Sequence, residues 1–306
     1  MTEQRATYHI PVMLREAVDG LAVRPAGVYV DATFGGGGHA REILGRLGAG
    51  GRLIAIDQDA DAQQNAAAIG DRRLTAVQGS FRFLRSYLRY HGAPEVDGIL
   101  ADLGVSWHQF DTAERGFSFR FEAALDMRMN RGGGRTAATL VNTGSVEELS
   151  RVLGSYGEVD NPRRVATLIV AAREQSPIHS VGRLVEALAP ALPRVDEHRW
   201  LAKVFQALRI EVNGELRALE QLLAQAGRVL RPGGRLAVIS YHSLEDRMVK
   251  SFIRSGSVGG CAQKDFYGRV CAPLEAVNKK VVLPAEDEVR RNPRARSAKL
   301  RIAQKR

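Results

Sequence analysis

Apolar and polar residues follow a repeating order of strand-like and helix-like patterns along the first hundred residues. Short β-branched runs predict strands at 28–33, 52–57, 74–77 and 96–102. Apolar residues at helical spacing predict helices between them at 39–47, 59–68 and 83–90. Strands that alternate with helices of this length favour a parallel sheet with right-handed crossovers.

The same alternation returns near the end of the chain. Leucines at helical spacing predict a helix at 215–230, Arg-Pro-Gly-Gly at 231–234 predicts its end, and strands follow at 236–240 and 299–303. Between 107 and 212 the pattern is helical, without a strand-loop-helix unit. We therefore predict an α/β fold in which 1–106 and 213–306 form a doubly wound, Rossmann-like sheet. Residues 107–212 are predicted to be an inserted helical domain, which suits a chain of 306 residues.

Four glycines lie where the first predicted strand meets the first helix. The segment reads Asp31-Ala32-Thr33-Phe34-Gly35-Gly36-Gly37-Gly38-His39, and glycine allows a tight turn and close approach of a ligand to the backbone. Asp57 and Asp102 end two further strands, at the carboxyl edge where open α/β sheets bind ligands. Because a carboxylate at the position of Asp57 can accept hydrogen bonds from both ribose hydroxyls, the pattern predicts a nucleotide-containing cofactor.

Two cofactors fit this glycine pattern. Gly35, Gly37 and Ala40 satisfy a relaxed dinucleotide fingerprint, so a nicotinamide cofactor stays open. Asp31, however, stands at the mouth of the loop, where its charge would repel a pyrophosphate and attract the ammonium and sulfonium groups of S-adenosylmethionine. The residues therefore favour S-adenosylmethionine.

The charge of the chain indicates a polyanionic partner. Lysine and arginine number 44 against 34 acidic residues, which gives a net charge of +10. The stretch 279–306 contains ten basic and three acidic residues, and from it we predict RNA phosphate contacts by Arg290, Arg291 and Arg294.

Cysteines and apolar runs exclude several other classes of protein. Cys261 and Cys271 form no CxxC pair, so neither a zinc site nor another metal site is expected, and two thiols suit a reducing cytosol. The start of the chain lacks the apolar run of a signal peptide. The longest apolar-rich run is eight residues, against the ~18 or more typical of a membrane helix. We expect a cytoplasmic protein that has no membrane partner.

Aromatic and histidine residues add candidates that have both functional and structural interpretations. Phe117, Phe119 and Phe121 alternate beside Arg115 and Arg120, as in base-stacking surfaces with phosphate contacts, or as in a loop that pins the insert to the core. His242 follows a predicted strand, so it is either at the rim of the active site or a packed structural residue. Ser243 and Asp246 fit a helix-capping box.

Seven motifs in sequence order carry a resemblance to a known family. They are DATFGGGGH at 31–39, DLGVS at 102–106, RGFSF at 115–119, LDMRM at 125–129, FQALRI at 205–210, HSLEDR at 242–247 and NPRARSAKLR at 292–301. Together they resemble the RsmH (MraW) family of bacterial 16S rRNA cytosine-N(4) methyltransferases, over nearly the whole chain. The resemblance implies a class I methyltransferase fold with a helical substrate-recognition insert. It also implies S-adenosylmethionine as donor and a decoding-region cytosine of the small ribosomal subunit's 16S rRNA as acceptor.

The resemblance also implies roles for individual residues. In the glycine loop, the expected cofactor contacts are Gly37, Gly38 and His39. Asp57 would contact the ribose and Phe81 would lie near the adenine. Asp102 and Gln109 would lie toward the reacting end. Asp102 would contact either the methionine end or the substrate amine. The chain departs from the family pattern at Trp107-His108, at 200–204 and at Gly214, which leaves details of RNA docking open.

Three classes of function therefore stand at this point. The first is an rRNA methyltransferase. The second is a nicotinamide-dependent oxidoreductase, although no catalytic Tyr-Lys or His-Asp pair can be identified for it. The third is a non-catalytic RNA-binding assembly factor. The sequence does not predict an oligomeric state.

Overall fold

A computed structural model describes residues 11–105, 112–262 and 264–306. The chain divides into two compact units, Met1–Gly104 with Leu216–Arg306, and Val105–Glu215. The sequence-based boundaries were placed two residues later at the first division and three residues earlier at the second. Assignment of the second unit to RNA recognition stays a prediction.

The first unit contains a seven-stranded sheet. Its strands are β1 (Val28–Asp31), β2 (Arg52–Asp57), β3 (Leu74–Gln78), β4 (Val96–Asp102), β5 (Leu230–Ser240), β6 (Leu274–Ala276) and β7 (Lys299–Lys305). The spatial order is β3-β2-β1-β4-β5-β7-β6, in which β1 to β5 are mutually parallel and β7 is antiparallel to both neighbours. The predicted Rossmann-like α/β class is confirmed, with one antiparallel strand inserted near its edge.

Helices follow the strands in the predicted alternation. In chain order they are α1 (Leu14–Leu21), α2 (Gly38–Arg46), α3 (Asp61–Ile69), α4 (Leu84–Tyr90), α5 (Ala137–Thr143), α6 (Val146–Gly157), α7 (Pro162–Gln175), α8 (Val181–Leu188), α9 (Glu197–Asn213), α10 (Glu215–Val229), α11 (Ser243–Ser255) and α12 (Glu286–Arg291). None of the helices in the described ranges is long and apolar enough to span a membrane.

Alternate residues of the strands pack on opposite faces of the sheet. On one face Ile54 and Ile56 belong to a core that includes leucines of α4 and α10. On the other face Leu53 and Ala55 belong to a core formed with α1, α2 and α3. Because both faces are covered, the central strands are apolar throughout, which is why they are visible in the sequence as continuous runs.

The Arg-Pro-Gly-Gly segment at 231–234 does not separate α10 from β5 as a turn. The helix ends at Val229, close to the predicted end, but β5 begins at Leu230, which pairs with Val96. The register then shifts, and Arg235 pairs with Gly98. The proline and glycines form an irregularity within the strand, at which Gly233 has φ of 78°. A β-bulge leaves such residues unpaired, so the strand continues beyond a proline and two glycines, which normally end a strand.

The second unit is built from α5 to α9 around its own apolar core. Leu149 and Val152 of α6, Ile169 of α7 and Phe205 of α9 are completely or almost completely buried there. The carboxamide of Asn213 accepts from the Met129 N–H at 2.7 Å and donates to the Met127 carbonyl at 2.8 Å, which fixes the loop before α5.

Candidate active site

The carboxyl edge of the sheet brings together three strand-terminal aspartates, Asp31, Asp57 and Asp102, from β1, β2 and β4. These strands are adjacent and parallel, so their ends meet at one edge. The edge also receives the segment that precedes β7. Because β7 is antiparallel and Lys299 pairs with Ser240, its first residue lies at the same edge.

Asp31 is completely buried and only partly hydrogen-bonded. Its Oδ1 accepts the Thr33 N–H at 3.2 Å, whereas Oδ2 has no hydrogen-bond partner among the described residues. Burial raises the pKa of Asp31 to about 7 against the opposing effect of the Thr33 N–H, and the charge of Asp57 raises it further. A buried carboxylate is stable in its charged form only beside a cation or a donor. The unsatisfied oxygen of Asp31 therefore fits a cationic ligand such as an ammonium group.

The glycine loop between β1 and α2 has the geometry expected of a cradle. Gly35 and Gly37 have φ of 51° and 76°, the left-handed region that favours glycine. A Cβ on Gly37 would lie 2.8 Å from the Phe34 ring, and one on Gly38 would lie 2.8 Å from Pro11. Side chains are therefore excluded from the loop that leads into the first turn of α2.

Asp57 accepts a hydrogen bond from the glycine loop. Its Oδ2 accepts the Gly35 N–H at 2.7 Å and its Oδ1 accepts the Asp59 N–H at 2.9 Å. Burial raises the pKa of Asp57, and these two N–H groups oppose the rise. Asn65 of α3 donates through Nδ2 to the Gly35 carbonyl at 3.0 Å. Neither the Asp57–Gly35 contact nor Asn65 was predicted, because a residue pattern does not show which side chains support a loop.

Asp102 is the second buried acid at this edge. Its Oδ1 accepts the Tyr241 hydroxyl at 2.7 Å, and its own N–H donates to Thr33 Oγ1 at 2.6 Å. Burial raises the pKa of Asp102 to about 7, the Tyr241 hydrogen bond opposes the rise, and the charge of Asp31 adds to it. Burial and the carboxylate of Asp102 also raise the pKa of the Tyr241 phenol well above its ordinary value. Tyr241 was not among the predicted site residues, although it follows a strand at the same edge as Asp102.

His39 connects the N-terminal segment with Asp102. The buried ring places Nε2 at 3.1 Å from the Val12 carbonyl, so Nε2 carries a proton and donates. Nδ1 lies 3.9 Å from Asp102 Oδ2. The buried imidazole thus lies beside Asp102 at the carboxyl edge, and contact of His39 with the cofactor stays a prediction.

His242 is the N-cap of α11, and the predicted capping box at Ser243 and Asp246 is wrong. His242 Nδ1 accepts the Glu245 N–H at 3.4 Å, and Ser243 is already the first helical residue. His242 has an extended backbone, which places its own side chain over the first turn. The carboxylate of Asp246 instead binds Arg301 of β7 at 2.7 and 3.1 Å.

The aromatic segment of the second unit is buried at Arg115 and Phe117, half-buried at Phe119 and exposed at Phe121. Arg115 donates through Nη2 to the carbonyls of Arg128 and Met129 at 3.1 and 3.0 Å, and Phe117 belongs to the core. The ring of Phe119 lies 5.5 Å from that of Phe205. These contacts are sufficient to explain the segment as a structural support of its own unit. RNA contact by Arg115, Phe117 and Phe119 stays a prediction.

Phe81 and Gln109 are the last two predicted cofactor residues. Phe81 begins a short 3-10 helix, Phe81–Phe83, after β3, and its half-buried ring packs against the core of the sheet. This position is compatible with a contact to an adenine bound beside the ends of β2 and β3. Gln109 lies outside the described residues.

Basic side chains near the C-terminus separate into two groups. Those of β7 are engaged, since Arg301 binds Asp246 and Lys305 donates to the Gly227 carbonyl at 2.6 Å. Before β7, five basic side chains are exposed, and we name them the basic segment: Lys279, Lys280, Arg290, Arg291 and Arg296. Within the basic segment Arg291 pairs with Asp287 at 2.7 Å. Arg294, one of the three predicted phosphate contacts, is half-buried and already has a partner.

The fold and the site together define a class of protein. S-adenosylmethionine-dependent methyltransferases have these features: a Rossmann-like sheet, a glycine loop at its carboxyl edge and a buried carboxylate suited to an ammonium group. The sequence model of the MraW methylase family matches residues 6–306, and the chain belongs to this family. The cofactor expected from the sequence, S-adenosylmethionine, is thereby confirmed, and the nicotinamide alternative is not.

Curated relatives match the chain over its full length. A protein of Bacteroides thetaiotaomicron named "Ribosomal RNA small subunit methyltransferase H" is 55% identical over 305 residues, which covers 100% of both chains. A protein of the same name from Parabacteroides distasonis is 55% identical over 306 residues, again covering 100% of both. A crystal structure of an rRNA methylase from Streptococcus thermophilus matches with a TM-score of 0.40 at 14% identity, covering 97% of this chain and 98% of that one.

Proposed function

We propose that this protein methylates the N4 amine of a cytosine in the decoding region of 16S rRNA, with S-adenosylmethionine as methyl donor. The names of the full-length relatives support small-subunit rRNA as the substrate. The observation that carries the proposal is the Asp102–Tyr241 hydrogen bond beside the unsatisfied Asp31 oxygen, because it provides a proton acceptor next to a site for a cationic cofactor.

Residues of the carboxyl edge are proposed to contact the ammonium, the ribose and the adenine of the cofactor. Asp31 Oδ2 would accept from the ammonium of the methionine moiety, and Asp57 has lone pairs left for the ribose hydroxyls. Gly37 and Gly38, at which a Cβ would collide with Phe34 and Pro11, would form the backbone of the loop beside the ligand, and Phe81 would contact the adenine. When bound, S-adenosylmethionine supplies a methyl group activated by its sulfonium.

Asp102 is proposed to accept a hydrogen bond from the substrate amine and, after methyl transfer, its released proton. The lone pair of a cytosine amine is delocalised into the ring, so the amine must be oriented toward the methyl group before it can react. A carboxylate that accepts a hydrogen bond from the amine gives this orientation and afterwards accepts the proton that is released. A pKa of about 7 suits that exchange at neutral pH. Tyr241 holds Oδ1 and leaves Oδ2 on the side of His39.

The basic segment is the proposed phosphate-binding surface. Arg290 and Arg296 are exposed, and no ion pair engages them among the described residues. They precede β7 and therefore lie at the same edge as the three aspartates. Because phosphate contacts fix the register of an RNA without reading its bases, this surface would position the substrate over the site. His242, which caps α11, and Arg294, which already has a partner, stay predicted RNA contacts outside this surface.

The remaining competitor is an assembly factor that binds RNA without catalysis. An assay of methyl transfer from labelled S-adenosylmethionine to small ribosomal subunits that lack the modification decides between a methyltransferase and an assembly factor. The variant Asp102→Asn is the matched control. We expect label in 16S rRNA, and mass mapping that places it on the N4 of one decoding-region cytosine. Binding of subunits without transfer of label, or label on another nucleotide, would contradict the proposal.

A further inference from the structure

Asn292, between α12 and the 3-10 helix Pro293–Ser297, is a buried amide without partners in the part of the chain that the structure describes. Its residue is 3% exposed, and neither Nδ2 nor Oδ1 has a hydrogen-bond partner there. Its backbone, in contrast, is fully used: the N–H donates to the Glu288 carbonyl at 2.7 Å and the carbonyl accepts the Ala295 N–H at 3.0 Å. Buried side-chain polar groups are nearly always paired, so an amide with both of its groups unsatisfied indicates a ligand.

A chain of contacts connects Asn292 with Asp102 at the carboxyl edge. The carboxylate of Glu288, one helical turn before Asn292, accepts the Met13 N–H at 2.7 Å. The carbonyl of the preceding residue, Val12, accepts from His39 Nε2, and His39 Nδ1 lies 3.9 Å from Asp102. The antiparallel direction of β7 gives the same placement independently, because it sets the residues before Lys299 at the carboxyl edge.

Two features favour an RNA base over the cofactor as the occupant. Asp31 already provides an acceptor for the ammonium of the methionine moiety. Asn292 is moreover flanked on the chain by Arg290, Arg291 and Arg296, whose exposed guanidinium groups are proposed to hold phosphates. The exposed arginines of this segment would thus bind the RNA backbone, and its buried Asn292 would contact a base.

We propose that Asn292 recognises the target base by a pair of hydrogen bonds to its Watson–Crick edge. The carboxamide Nδ2 would donate to cytosine N3, and Oδ1 would accept one hydrogen of the N4 amine. A carboxamide matches this edge because it presents a donor and an acceptor side by side, as cytosine does in the complementary order. Uracil presents a carbonyl and an N–H in these places, so it would require the opposite orientation of the carboxamide. The inference rests on the proposed function, since it requires a cytosine substrate.

The first test separates base recognition from cofactor binding. Asn292→Ala should lower kcat/KM for unmodified small subunits by at least about 10-fold, and the Kd for S-adenosylmethionine should stay within about 2-fold. Asn292→Leu, which keeps the side-chain volume, should lose the same activity, and its melting temperature shows whether the fold is intact. Gln221→Ala, at an exposed amide on α10, is the matched control and should leave both constants unchanged. Parallel losses of cofactor affinity, or unchanged turnover, would overturn the proposal.

The second test identifies the atom that is recognised. Small subunits reconstituted with 3-deazacytidine at the target carry a carbon in place of N3. The substitution should lower kcat/KM for the unaltered protein by about 10-fold and cause no further loss in Asn292→Ala, because the partner is already gone. Additive losses would show that Asn292 acts only on the fold and would overturn the proposal. If the unaltered protein transfers no methyl group to cytidine-containing subunits, the proposed function itself fails, and the inference fails with it.

Discussion

The Tyr241 hydroxyl donates a 2.7 Å hydrogen bond to Asp102 Oδ1 and thereby joins two residues that are 139 positions apart in the chain. Asp102 ends β4 and Tyr241 follows β5, and these two strands are neighbours in the sheet. The second unit occupies the sequence between them. The acid proposed to handle the substrate amine is therefore oriented by a residue from beyond the insertion.

Removal of this hydrogen bond should affect turnover more than cofactor binding. Tyr241→Phe leaves the ring in place and removes the donor that opposes the high pKa of Asp102, so the pKa of Asp102 should rise further. We expect the acid limb of the pH–rate profile to shift toward higher pH and kcat at pH 7 to fall by about 10-fold, which corresponds to about 1.4 kcal/mol of barrier. The Kd for S-adenosylmethionine should stay within about 2-fold. A profile that keeps its acid limb would contradict this role.

Asp102→Asn tests the proton acceptor directly. An amide keeps the shape of the carboxylate and loses its ability to take a proton, so kcat should fall well beyond about 10-fold with only a modest change in cofactor affinity. Equal reductions of affinity and turnover would instead assign Asp102 to the methionine moiety.

The three aspartates were predictable from sequence because each ends an apolar run, and the ends of parallel strands meet at one edge. Tyr241 and Asn292 required the structure. Their positions depend on the pairing of β4 with β5 and on the direction of β7, both set by contacts between distant parts of the chain. Local residue patterns do not encode such pairings. The same limit explains the capping error, since the backbone conformation at His242 decides whether it or Ser243 covers the first turn of α11.

Asp57→Ala should weaken cofactor binding through two effects. It removes the proposed ribose contact, and it frees the N–H of Gly35 that holds the glycine loop. Removal of a charge-assisted hydrogen bond costs on the order of 2–3 kcal/mol, so the Kd for S-adenosylmethionine should rise by roughly 30-fold or more. Calorimetric titration measures this change. Asn65→Ala, which loosens the loop without touching the carboxylate, should give a smaller rise.

The stability of the protein should depend on pH through Asp31. The pKa of Asp31 is about 7 in the folded protein against the ordinary value of 3.8, so the folded state binds the proton more tightly. Its contribution to stability is fully present below about pH 4 and is lost as the pH rises through about 7. Asp31→Asn stays neutral, and it should therefore melt several degrees higher than the unaltered protein at pH 8 and show no such advantage at pH 4. The same variant should bind S-adenosylmethionine at least about 10-fold more weakly, because the partner of the ammonium loses its charge. Equal melting temperatures at pH 8 would show that Asp31 is not held as a strained buried acid.

Charge reversal in the basic segment tests how the protein holds RNA. Arg290→Glu with Arg296→Glu removes two exposed cations before β7, and Arg217→Glu with Arg228→Glu makes the same charge change on the exposed surface of α10. Counterions are released wherever a cation binds a phosphate, so removal of one such cation should flatten the plot of log affinity against log salt by about 0.7–0.9. We expect the first pair to bind every RNA more weakly with a shallower slope, and to methylate the same cytosine, because phosphate binding carries no sequence information. The α10 pair should shift affinity only slightly, through the net charge of the chain. Equal effects of the two pairs would assign binding to that overall charge and not to the basic segment, and methylation of a different cytosine would show that the segment reads sequence.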